Sequence, residues 1–140
     1  MYSCLTDEER SRAERYRVAS ARCQFVMTRA TLRQILGAHL GVPPRDVPIG
    51  HTGAGKPVIA GAEIHFNVTH TEGLALIALA RQPVGIDVER VRELAHAEGL
   101  VRRFFSPHER EAYLALSDAL RPAGFFRGWT ARRRSSRPAG

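Results

Sequence analysis

The residues best suited to chemistry lie in "QPVGIDVERV", Gln82 to Val91, where Asp87 and Glu89 stand one valine apart. In an extended chain side chains alternate, so the two carboxylates share one face and Ile86 and Val88 the other. Like charges one strand step apart repel unless a cation lies between them. One reading is a half-buried strand with a wet face. The other is a site for Mg2+, a small hard cation that takes one or two carboxylates together with phosphate oxygens and water.

Two further stretches could bind anions. The glycine loop "HTGAGKP", His51 to Pro57, offers backbone N–H groups for close approach, beside Lys56, the only lysine. It lacks the spacing and the following Ser/Thr of a Walker loop, and it also reads as an ordinary turn. "HFNVTH", His65 to His70, closes on a hydroxyl and an imidazole, Thr69 and His70, a pair that can bind phosphate. Satisfaction of each histidine by backbone is the plainer reading. His65 and His70 differ by an odd number, so a straight strand points them to opposite faces and away from a shared zinc.

The elements that must position these groups are legible as an α+β pattern. Asp7 to Leu40 reads as helix, with a possible break around Ala19 to Ala21. Thr6 caps it, acids follow in its first turn, and Gly41 with Pro43 and Pro44 stops it. Phe25, Leu32, Ile35, Leu36 and Leu40 form its expected core stripe. "VPIGHTGAGKPVIAG" reads as a loop with one short strand. Strands are expected at 63–70, 74–80 and 83–89, joined by the short "TEG" and "RQP" and therefore antiparallel. Ser106, Pro107 and Glu109 spell a capping box that opens a helix reaching about Leu116. "PAGFFRGWT" begins a third helical segment. From Ala131 to Gly140 there is no apolar face, and a disordered basic tail is expected.

Composition narrows the classes. The 140 residues allow at most one ordinary domain, expected here over 1–130, and no run of 18 apolar residues is present to span a membrane. The opening "MYSCLTDEERSR" has no apolar signal segment, and Cys4 and Cys23 lack metal or redox spacing; both point to the cytoplasm and reduced thiols. The net charge of +7 suggests nucleic acid until it is located. Residues 121–140 hold six arginines and no acid, leaving 15 basic against 14 acidic residues elsewhere. A near-neutral body, and a tail with no aromatic residue in its last ten positions, weigh against a nucleic-acid partner.

In order, "GKP", "FNVTH", "VGIDVE", "FFSPHE" and "FFRGWT" resemble the 4'-phosphopantetheinyl transferase superfamily of the surfactin-synthetase-activating type. The resemblance implies that fold, in the form of its N-terminal lobe and part of a second lobe. It also implies transfer of 4'-phosphopantetheine from coenzyme A to a serine of an acyl or peptidyl carrier protein, with Mg2+ neutralising the pyrophosphate. The family's metal motif falls on Val84, Gly85, Ile86, Asp87 and Glu89, making Asp87 and Glu89 the expected metal and catalytic residues. Coenzyme A contacts are expected from Arg29, from Gly55, Lys56 and Pro57, and from Asn67, Thr69 and His70.

The chain departs from the family after its tryptophan, where a Lys-Glu pair is usual. Here Trp129 and Thr130 are followed by Ala131, Arg132 and Arg133, so Arg133 takes the glutamate's place with the opposite charge. The resemblance therefore implies a chain truncated or frameshifted towards its C-terminus and impaired in turnover. The rival expectation is a non-catalytic remnant that binds coenzyme A or a nucleotide.

Overall fold

The computed structural model describes residues 1–53, 55, 57–59 and 61–136. The chain is α+β and divides into two compact units, one of Met1–His65 with Leu79–Gln82, the other of Phe66–Ala78 with 83–136.

The first unit opens with α1 (Asp7–Glu14) and α2 (Ala19–Leu40). Thr6 caps α1 through a reciprocal box: its hydroxyl accepts from the Glu9 N–H at 3.3 Å, and the Glu9 carboxylate accepts from the Thr6 N–H at 3.1 Å. The expected single helix is broken, and the break falls at 15–18, just before the expected place. The interruption lets α1 contact α2, so that Leu5, Ala13, Val26 and Ala30 form one buried cluster. Gly41 ends α2 with φ +70°, a left-handed conformation that glycine adopts without cost.

The core stripe of α2 differs from expectation. Leu32 and Leu36 are buried, but Ile35 is exposed, because the buried face follows Val26, Ala30, Arg33 and Gly37. Ile35 lies round the side of that line. The buried Arg33 finds partners for both Nε and Nη1. It donates to Glu9 at 2.7 Å and to the carbonyls of Pro44, Arg45 and Val47 at 3.0, 3.0 and 3.2 Å. The glycine-rich stretch, read as loop with one strand, contains two: β1 (Ile49–His51) pairs antiparallel with β2 (Pro57–Ile59), Gly50 facing Val58.

In the hairpin, β3 (His65–Thr71) and β4 (Leu74–Ala80) pair across the turn Glu72–Gly73. The expected third strand is absent: 83–94 carries no sheet pairing, and both sheets are two-stranded. Side chains of β3 hold the segment instead. Asn67 donates to the Val84 carbonyl at 3.3 Å, and the Val88 N–H donates to the Thr69 hydroxyl at 3.3 Å. These bonds satisfy backbone groups that a ladder would otherwise take.

Three helices complete the second unit: α3 (Ala97–Phe104), α4 (Pro107–Leu114) and α5 (Arg121–Ser136). The Ser106–Glu109 capping box on α4 forms as expected. No element was expected at α3, whose eight residues include Gly99 and whose first turn has no side-chain cap. Val101, Phe105, Tyr113, Phe125 and Phe126 form the core, with Trp129 packed beside it. The Phe125 ring lies 5.8 Å from Phe105 and 5.6 Å from Trp129, each nearly parallel. The segment from Ala131, expected to be disordered, continues α5 to Ser136; 137–140 lie outside the described residues. Among the described residues no helix is long and apolar enough to cross a membrane.

Candidate functional site

Alternation along β3 selects the polar groups that face the acidic segment. Asn67 and Thr69, two residues apart, are both buried on one side, while His70 is exposed. Thr69 is fully engaged: its hydroxyl accepts from the Val88 N–H and donates to Asp87 Oδ1 at 3.2 Å. The structure therefore brings Thr69 to Asp87 and leaves the neighbouring His70 on the open face.

Asp87 and Glu89 converge, as strand-like spacing suggested, although no strand forms. A single guanidinium reaches both. Arg133 donates from Nη1 to Glu89 at 2.9 Å, and its Nε lies 3.6 Å from Asp87 Oδ2. The Asp87 side chain is only 1% exposed, against 25% for Glu89 and 39% for Arg133. Asp87 Oδ2 is buried without a hydrogen-bond partner among the described residues, since 3.6 Å is an ion-pair separation and too long for a hydrogen bond.

Gly85 brings α5 to this segment. A Cβ there would stand 2.4 Å from the Arg134 carbonyl oxygen, so only glycine permits that backbone approach. Two residues earlier on α5, Arg132 pairs with Glu109 and its guanidinium lies 5.5 Å from the centroid of the Phe105 ring. The hydrogen bond from Arg132, aided by the Ser106 hydroxyl and N–H, pulls the Glu109 carboxyl down to about 2. Consecutive arginines of α5 thus engage different acids, Glu109 by Arg132 and the Asp87–Glu89 pair by Arg133.

The remaining expected contacts belong to the first unit. Arg29 is ion-paired with Glu9, which also holds Arg33. Burial raises the Glu9 carboxyl, but hydrogen bonds from Arg33 and Arg29 outweigh it and leave the group below the usual carboxylate range. Gly55 is exposed and Pro57 starts β2. Lys56 lies outside the described residues. Among those that are described, no cluster of three or more His, Cys, Asp or Glu could hold a metal ion.

Sequence reasoning missed two parts of this arrangement. Asn67 and Thr69 act on the backbone and acid of the 84–88 segment, a role hinted at only by their alternation onto one face of the strand. From the sequence, Arg133 stands out only as a charge of the wrong sign. That sign was the available signal for a partner of two acids.

Comparison with known proteins identifies the family. Residues 1–82 match the family profile described as 4'-phosphopantetheinyl transferase, N-terminal, and 83–132 match that of the 4'-phosphopantetheinyl transferase superfamily. The chain is 39% identical over 132 residues to the 4'-phosphopantetheinyl transferase HetI of Nostoc sp., covering 90% of this chain and 55% of that protein. It is 30% identical to a putative 4'-phosphopantetheinyl transferase of Synechocystis sp., over 91% of this chain and 54% of the other. Against the 4'-phosphopantetheinyl transferase Sfp of Bacillus subtilis the identity is 23%, over 91% and 57%. The chain spans about half the length of the curated relatives it matches.

Proposed function

Because the chain belongs to the 4'-phosphopantetheinyl transferase superfamily, we propose that it transfers 4'-phosphopantetheine from coenzyme A to a carrier-protein serine, with impaired turnover. The serine oxygen forms a bond to the phosphorus that bears pantetheine. The bond from that phosphorus to the bridging oxygen breaks, 3',5'-ADP leaves, and the serine proton passes to a base. The observation that supports this reading best is the convergence of Asp87 and Glu89 on one cation position.

The donor set fits a divalent ion in two respects. Asp87 has a buried carboxylate oxygen with no hydrogen bond, and a guanidinium already stands in for the cation between the acids. Asp87 and Glu89 would hold Mg2+ there. Bound, the ion would neutralise charge developing on the pyrophosphate. Thr69 is assigned to orient Asp87 through its hydroxyl, and Asn67 to hold the backbone at Val84. The exposed His70 is assigned to a coenzyme A phosphate. Arg29, Gly55, Lys56 and Pro57 are assigned contacts with the phosphate and adenine end of the same substrate. We place the reaction in the cytoplasm, in keeping with two cysteines outside any disulfide.

The second reading is a coenzyme A or nucleotide binder without transfer. One observation favours it: an arginine, unable to accept a proton at neutral pH, pairs with both acids. Incubation with coenzyme A carrying a labelled pantetheine arm, Mg2+ and apo carrier protein separates the two. Label on the carrier serine supports transfer; binding of coenzyme A with no labelled carrier supports the second reading.

A further inference from the structure

We infer that Arg133 is a built-in competitor for the divalent cation, seated where the ion would lie, so that metal enters only when the side chain withdraws. The inference rests on the assignment of Asp87 and Glu89 as the cation's carboxylates. Its support is geometric. One guanidinium spans the two acids, 2.9 Å from Glu89 and 3.6 Å from Asp87 Oδ2. Two cations cannot share that position, because mutual repulsion in a site walled by a 1% exposed aspartate is poorly screened.

The surroundings favour the resident arginine. Helix α5 is anchored by Phe125 and Phe126 in the core, at 2% and 6% exposure. The close approach of the Arg134 carbonyl to Gly85 sets its last turn against the acidic segment. Arg133 therefore reaches the acids from a backbone already in place, which reduces the entropy cost of its pairing. Its Asp87 contact is long and leaves Oδ2 without a hydrogen bond, so the pairing is incomplete on the aspartate side. A small ion could improve on the arginine only there. Withdrawal need involve no refolding, because Arg133 is 39% exposed and its side chain can swing into water.

Mn2+ is the probe, titrated into the whole chain and followed by electron paramagnetic resonance of the unbound ion. Arg133→Gln should take up one Mn2+ at least about tenfold more tightly than the native chain. Adding Asp87→Asn to that variant should abolish the uptake. If the native chain binds one Mn2+ as tightly as Arg133→Gln and loses it with Asp87→Asn, the competition is overturned while the carboxylate assignment survives. If folded Arg133→Gln binds no Mn2+, the carboxylate assignment itself fails and the competition with it. A measurement on the native chain serves even if the variant does not fold. The Arg133 Nη1–H resonance, bonded to Glu89, should remain slow to exchange and sharp at stoichiometric Mn2+; broadening of that resonance while its exchange protection is unchanged would show ion and guanidinium together, and overturn the inference.

Discussion

Thr69 and Asp87 are joined by a 3.2 Å hydrogen bond from a threonine hydroxyl on β3 to a carboxylate on the unpaired segment after the hairpin. The same hydroxyl accepts the Val88 N–H, so one buried atom fixes both the acid and the backbone beside it. Thr69→Val keeps the shape and removes both bonds. Loss of about 1–3 kcal/mol is expected from leaving buried groups unsatisfied, measured by urea unfolding. An unchanged midpoint would mean that the hydroxyl holds nothing.

Gly85→Ala tests the approach of α5. The new methyl would meet the Arg134 carbonyl oxygen at 2.4 Å, and backbone rather than a flexible side chain must give way. A loss of about 1–3 kcal/mol is expected, with faster amide exchange through the last turn of α5. Equal exchange in the two proteins would contradict the packing described.

Acid should weaken the second unit in a defined window. The Glu109 carboxyl is lowered from 4.5 to about 2, chiefly by Arg132 and then by Ser106. A depressed carboxyl binds its proton more readily in the unfolded chain, so its stabilisation is complete above 4.5 and declines as pH falls from there towards 2. Thermal unfolding followed across that window should show a shallower decline for Glu109→Gln than for the native chain. Identical slopes would remove Glu109 from the account.

In the first unit, buried and exposed acids should part company. Glu9 binds Arg33, whose side chain is 4% exposed, whereas Asp7, 78% exposed, pairs with Arg10 and Arg45. Glu9→Ala leaves a buried guanidinium short of its charge partner and should cost about 3–5 kcal/mol. Asp7→Ala should cost about 0–1 kcal/mol. Chemical denaturation of both variants checks the contrast, and equal losses would refute it.

Features decided within a few residues were open to reading from the sequence. Thr6 as the cap of α1, Ser106 with Pro107 and Glu109, and Gly41 after α2 each act on backbone groups three or four positions away, and each forms as read. The "TEG" turn was equally local. Segment 83–89 was not, because strand formation needs a partner edge, and the groups that meet it are the side chains of Asn67 and Thr69. Asp87 and Glu89 meet one guanidinium although the strand that their alternation implied is absent. Their guanidinium partner comes from 44 residues beyond Glu89, a separation no periodicity encodes. Ile35 misled for a related reason: apolar spacing marks a face, but burial of Arg33 turned that face aside.

The acidic segment is tethered to β3 by an amide and a hydroxyl, with no ladder behind them. Its aim is thus set by two side chains, where a sheet would have spread the constraint over every peptide unit. A single exchange at Asn67 or Thr69 could redirect both acids and leave the hairpin untouched, so the placement of charge here is adjustable separately from the architecture that carries it.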